Sequence, residues 1–240
     1  MRIHRIPVRM AQAYLIEGER GLVLVDAGAP HSERRIVAKM RALGRDDLRL
    51  IYITHAHLDH YGSAAALRRL TGAPIAVHRA DAQAMAGGET PLGSARGRGR
   101  LTQALLPLAE WPLWPNRFLW PEPTPPDLLL EDGDTLHAYG LDAVVLHTPG
   151  HTPGSTCLLV KGRLAFVGDL LSTNGRPRVQ HLYADDWSLI PRSLARLQAQ
   201  DPAWVFPGHG HRALSGKALL SLRFFASFGF AQDRPFGHSE

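Results

Sequence analysis

The amino-acid sequence predicts a layered α/β fold, and three observations predict it. The first half alternates short β-favouring runs with segments of helical periodicity. The second half is mostly β-favouring runs. The chain has 240 residues, 45% hydrophobic and 20% charged, enough for one substantial core and unlike a disordered or fibrous composition.

Taken in order, Ala13–Ile16 and Leu22–Val25 are compact β runs around the turn-like segment 17–21, a hairpin. Pro30 and Ser32 open a helix whose apolar residues Ile36, Val37, Met40 and Leu43 recur at helical spacing until Gly44 stops it. Leu50–Ile53 is a buried strand, followed by a histidine-rich loop and a helix over 62–70. Pro74–His78 is the next strand. Residues 84 to about 128 break the rhythm with glycines, an Arg/Gly run over 94–100 and two Trp/Pro-rich stretches, and read as an insertion or lid. Its tryptophans either pack it onto the core or face substrate or a partner. Its arginines either meet an anionic substrate or line a solvated loop.

Strands are then expected at Thr135–Tyr139, Asp142–His147, Ser155–Val160 and Arg163–Val167, with Lys161-Gly162 as a tight turn. A helix over 188–200 tolerates Pro191 in its first turn. Ala203–Phe206 is the last strand, followed by an amphipathic helix over 215–225. Residues 1–227 are expected to form one domain and 228–240 a flexible tail.

Composition narrows the function. A single cysteine, Cys157, leaves no internal disulfide, zinc ribbon or CxxC redox site and fits a cytoplasmic location. The N-terminus lacks a signal-peptide pattern, and no run approaches the length of a membrane span. The net charge of +5 comes mainly from scattered arginines, so a nucleic-acid partner is not expected, while a small-molecule substrate is. A dimer is left open.

Chemistry concentrates in Thr54-His-Ala-His-Leu-Asp-His60. His55, His57, Asp59 and His60 are four potential metal ligands within six positions, directly after a buried strand. Alternate residues in extended backbone project the same way, so His55 and His57 address one ion. Asp59 and His60, at the turn into a helix, can face a second ion. Three more ligand types follow at predicted strand ends: His151 in Thr148-Pro-Gly-His-Thr-Pro-Gly-Ser155, Asp169 after Gly168, and His209 in Pro207-Gly-His-Gly210. Imidazoles and carboxylates without thiolates suit two divalent ions, zinc first, with iron or manganese as alternatives, and argue against a structural zinc site. Glycines before His151, Asp169 and His209 let the backbone turn and approach the metals. His78, His147 and His211 read as structural, outer-sphere or exposed.

THAHLDH, TPGHTPGS, GD and PGHG, together with Leu24-Val-Asp-Ala-Gly28, resemble the metallo-β-lactamase-fold superfamily over residues 10 to 212. The resemblance implies an αββα sandwich with a two-metal site at one edge between the sheets. It implies His55, His57 and His151 on one ion, Asp59, His60 and His209 on the other, Asp169 bridging both, and Asp26 behind them or structural. The activity implied is hydrolysis by a metal-bridging hydroxide, without a covalent enzyme intermediate, Asp59 orienting the water and shuttling a proton. An acyl-thioester, ester or lactone is the expected substrate, a phosphodiester or phosphotriester the alternative, and a mononuclear-iron persulfide dioxygenase ranks below both. True β-lactamases of the superfamily usually lack a bridging aspartate. Its lactonases typically carry tyrosine where this chain has Ser172. Its glyoxalase II thioesterases bind glutathione through a C-terminal helical domain, whereas 31 residues follow His209 here.

Overall fold

The structure is a computed structural model describing residues 1–97, 99–100 and 120–224. The first sheet contains β1 (Ile3–Pro7), β2 (Gln12–Glu17), β3 (Leu22–Val25), β4 (Leu48–Tyr52) and β5 (Ile75–His78) in spatial order. After β6 (Ser94–Ala95), which lies elsewhere, β7 (Leu128–Leu130) completes its far edge. β1, β2 and β3 pair antiparallel, and the remaining neighbours are parallel. Parallel neighbours require crossovers, supplied by α1 (Glu33–Ala42) between β3 and β4 and by α2 (Leu58–Tyr61) and α3 (Ala64–Thr71) between β4 and β5. α4 (Ala82–Gly87) follows β5.

The second sheet holds β8 (Ala143–His147), β9 (Thr156–Val160) and β10 (Leu164–Phe166) as an antiparallel meander. A small sheet is built on β11 (Leu171–Thr173) and β12 (Arg178–Val179), while β13 (Tyr183–Ala184) pairs with β6. β14 (Trp204–Phe206) joins β10 in parallel, β15 (His209–Gly210) joins β11 in parallel, and β16 (Leu214–Ser215) closes the edge on β14. Helices Ile190–Gln198 and Gly216–Ser221 pack outside this sheet.

The period-2 geometry of these strands divides their side chains among three cores. Leu22 and Leu24 of β3 face Ile36 and Met40 of α1 and Leu67 of α3. Val23 and Val25, one position out of phase, face the other sheet and meet Leu158, Val160 and Phe166. Cys157 and Leu159 of β9 turn outward to Leu194 and Leu197 of the 190–198 helix. The layers are therefore helix, sheet, sheet, helix, as expected. Each fully buried Leu, Val or Phe contributes roughly 1.5–3 kcal/mol of transfer free energy.

Two expected elements differ. Thr135–Tyr139 is not a strand: it makes one bridge, Thr135 to Val144, then a 3-10 turn over His137–Tyr139. Only Leu136 is buried there, so no alternating face exists to hold a strand, and Gly140 at φ +77° turns the chain back. The last helix ends at Ser221 rather than 225, because Leu222 is extended and its carbonyl, with that of Leu219, is bonded by Gln198 Nε2. The middle of the 84–128 insertion and the 228–240 tail lie outside the described residues.

Candidate metal centre

The expected ligands all follow strand ends. His55, His57, Asp59 and His60 follow β4, His151 follows β8, Asp169 follows β10, and His209 follows β14. The two sheets are joined beneath them: Thr156 N–H donates to Thr54 O at 3.0 Å, Tyr52 OH to Thr156 Oγ1 at 2.7 Å, and Tyr14 OH to Pro207 O at 2.7 Å. The edges that carry the ligands are thus locked together by hydrogen bonds at buried positions.

All seven residues converge, in two groups. His55, His57, His151 and Asp169 offer ligand atoms within 4.8 Å of one another, and so do Asp59, His60 and His209. Asp169 touches both: its Oδ2 lies 3.3 Å from His151 Nε2 and 3.2 Å from His209 Nε2, and its Oδ1 lies 3.2 Å from His60 Nε2. Asp59 Oδ2 is 3.3 Å from His209 Nε2 and 3.9 Å from His60 Nε2.

The outer atoms of the rings fix what the inner atoms can do. A carbonyl only accepts, so His57 Nε2–H donates to Pro91 O at 2.7 Å, while His151 Nδ1 is held between Tyr183 O at 2.9 Å and the Gln180 side-chain amide nitrogen at 3.0 Å. His60 Nδ1–H donates to Asp26 Oδ2 at 2.8 Å. The Thr54 hydroxyl donates to Asp26 at 2.9 to 3.0 Å, which leaves Thr54 Oγ1 to accept from His55 Nδ1–H at 3.0 Å. These outer contacts leave one ring nitrogen of each facing the centre: Nε2 of His55, His60 and His151, and Nδ1 of His57. His60 Nε2, His151 Nε2 and Asp169 Oδ1 are buried without a hydrogen-bond partner. Buried polar atoms carry such a cost only where something else satisfies them, and a bare imidazole nitrogen beside a carboxylate is a divalent-metal donor set. These residues fit metal ions.

The protonation pattern agrees. Burial, helped by His151, pushes His57 down to about 3, and burial with the neighbouring histidines also holds His55 well below its ordinary value, so both stay neutral. In the second group, burial opposes charge on His60 and His209, but the carboxylates prevail. Asp26 and Asp169 raise His60, and Asp169 and Asp59 raise His209 to about 10. Burial would raise Asp59, yet His60 and His209 pull it down to about 2. Without a cation, protons on the second group do the neutralising.

Side chains are excluded at Gly168 and Gly208, which precede two of the late ligands. A Cβ on Gly208 would lie 2.5 Å from His60 Cε1 and 2.9 Å from Asp169 Oδ1. Gly168 sits at φ +47° with a Cβ position 2.7 Å from Thr54 Oγ1.

A family model of the metallo-beta-lactamase superfamily matches residues 6–209. The chain belongs to that superfamily. The hydroxyacylglutathione hydrolase GloC of Haemophilus influenzae is 27% identical over 234 residues, covering 95% of this chain and 99% of that one. The acyl-coenzyme A thioesterase MBLAC2 of Bos taurus is 33% identical over 123 residues, 51% of this chain and 41% of that protein. Among solved structures, TTHA1623 in a di-iron-bound form superposes with a TM-score of 0.67 at 26% identity, covering 92% of this chain and 98% of the other. Superfamily membership and these named hydrolases make the protein a metal-dependent hydrolase.

Sequence reasoning did not single out Thr54, Pro91, Gln180 and Tyr183, all near the centre. Gln180 Oε1 accepts from the backbone N–H groups of His181 and Leu182, and its Nε2 donates to Asp169 O at 3.2 Å. In the Arg/Gly run, Arg96 lies over the Trp187 ring at 4.2 Å, a packing role. His78 and His147 stack at 4.0 Å away from the ligands, and Cys157 is buried. Among the described residues no helix is long and apolar enough to cross a membrane.

Proposed function

We propose that the protein hydrolyses acyl thioesters, with ester and lactone bonds as chemically related substrates, at a centre holding two divalent ions, zinc or iron. The observation that carries this reading is Asp169, one carboxylate within 3.3 Å of imidazoles from both ligand groups. His55, His57 and His151 would hold the first ion, Asp59, His60 and His209 the second, and Asp169 both. When bound, the two ions supply a water-derived nucleophile near neutral pH and polarise the scissile carbonyl.

The chain's own residues do the rest. Asp59, held as a carboxylate, orients the attacking water and accepts its proton for delivery to the leaving thiol. Gln180 fixes the backbone of Asp169, and contacts to Asp26, Thr54, Pro91 and Tyr183 orient the rings of His60, His55, His57 and His151 toward the centre. Ser172, in register with His209, stands where the superfamily's lactonases typically carry a tyrosine. The start of the insertion reaches the centre through Pro91, and β6 is tied to β13, which supports a role as a lid over the substrate. The named relatives of both kinds, an acylglutathione hydrolase and acyl-coenzyme A thioesterases, cleave thioesters, which favours that bond over a phosphodiester.

The test is a panel of glutathione and coenzyme A thioesters, lactones, phosphodiesters and β-lactams, assayed with zinc- and iron-reconstituted protein. Thioesters should give the highest kcat/KM, and Asp59→Asn should lower kcat. Phosphodiester turnover above every thioester would overturn the assignment.

A further inference from the structure

The Thr148–Ser155 segment contains more than a histidine needs, and the surplus points to Asp81. Asp81 lies just past β5, in the turn before α4, and is 1% exposed. Three donors meet its carboxylate. Ala56 N–H reaches Oδ2 at 2.8 Å, the Thr152 hydroxyl reaches the same oxygen at 2.7 Å, and Gly154 N–H reaches Oδ1 at 2.7 Å. Ala56 stands between His55 and His57, and Thr152 directly follows His151. One carboxylate oxygen therefore ties together the backbone that carries all three imidazoles of the first group, across two different sheets.

The partners are shaped for this contact. A Cβ on Gly154 would fall 2.6 Å from Asp81 Cγ, so only glycine lets the loop close on the carboxylate. Ser155 Oγ lies 2.8 Å from Thr152 Oγ1 and accepts from Thr152 N–H at 3.0 Å, which holds Thr152 in place. All three hydrogen bonds are donated to the carboxylate, and among the described residues it forms no ion pair. A buried carboxylate met by two backbone N–H groups, which can only donate, works as a fixed acceptor joint.

We propose that Asp81 is the positioning residue of the first ligand group: it sets the separation of the His55–His57 strand end and the His151 loop through Ala56, Thr152 and Gly154. This rests on the reading that the first group holds a metal ion. Asp81 makes no hydrogen bond or ion pair to a ligand ring, so it acts on the first group chiefly by placing the backbone of its histidines. Asn at this position keeps the shape but presents an amide NH2 to at least one donor, so the joint cannot close as before.

The experiment separates the two groups. In a His209→Ala background, metal binding reports the first group, and in a His57→Ala background it reports the second. Zinc affinity is measured by chelator competition on folded, metal-stripped protein, with the melting temperature recorded alongside. Asp81→Asn should weaken the first group about 10- to 100-fold, the range for removing a partner that orients metal ligands, and leave the second unchanged. Thr152→Val, a milder change should Asp81→Asn fold poorly, should weaken the first group in the same direction, and Thr152→Ser should restore it. Unchanged first-group affinity in both Asp81→Asn and Thr152→Val would overturn the proposal, as would equal loss from both groups. If the His209→Ala and His57→Ala proteins bind no zinc even with Asp81 intact, the reading of the centre fails first, and the proposal with it.

Discussion

Replacing Asp26 by asparagine alters a single atom type in the structure, and its consequence can be followed to the metal centre. Asp26 is 2% exposed and sits at φ +61°, a region asparagine tolerates, so the fold should persist. Its Oδ2 accepts from His60 Nδ1–H at 2.8 Å, and its Oδ1 accepts from Thr54 N–H at 2.8 Å. An asparagine has one acceptor oxygen for these two donors. Thr54 N–H cannot change, whereas an imidazole can shift its proton. The side-chain NH2 therefore turns toward His60, whose Nδ1 becomes the acceptor and whose Nε2 takes the hydrogen. That nitrogen then no longer offers a lone pair to the second ligand group. The lost interaction is a hydrogen bond to a charged group, about 1.5–3 kcal/mol. At about 1.4 kcal/mol per decade this is roughly a 10- to 100-fold loss of affinity for the second metal. Chelator competition on reconstituted Asp26→Asn, beside wild type, measures it. A variant that binds both ions as tightly as wild type would refute the tautomer argument.

Metal loading should release protons at neutral pH, because His60 and His209 are raised above it in the metal-free chain, His209 to about 10. Titration calorimetry in buffers of different ionisation enthalpy should read about two protons released at pH 7, with affinity falling as pH falls; no proton release would contradict the second group as drawn. Gly208→Ala places a methyl 2.5 Å from His60 Cε1, so it should cost the second metal while circular dichroism stays native, and wild-type metal content would argue against that geometry. Phe166→Ala, fully buried between the sheets against Tyr14 and Phe206, should lower stability by about 3–5 kcal/mol in denaturant with the slope preserved, and a loss below about 1 kcal/mol would mean that the central core is misdescribed.

How far the sequence carries is clearest by comparing particular residues. His55, His57, Asp59 and His60 stand out because ligand chemistry is crowded into a few positions. His151, Asp169 and His209 follow once strand ends are recognised, and the structure brings all seven together. The layered α/β class is legible because β-favouring runs such as Leu22–Val25 alternate with helical segments, whereas the αββα order follows from the resemblance to the superfamily. Thr135–Tyr139 misleads because β-favouring residues there face solvent, and propensity yields to the turn at Gly140. β1 and β7 escape notice because Ile3–Pro7 is half polar and Leu128–Leu130 is three residues bounded by prolines and acids. Asp81, Thr54 and Gln180 are illegible for another reason: single polar residues near strand ends look like caps or turns, and only tertiary contact brings them to the centre.

The most direct test of the binuclear centre is elemental analysis of protein reconstituted with zinc or iron, for wild type and Asp169→Ala in parallel. The account predicts two ions per chain in wild type, and in Asp169→Ala a loss of metal together with thioester hydrolysis. Wild-type protein with no tightly held metal, or an Asp169→Ala protein keeping both ions and full activity, would contradict it.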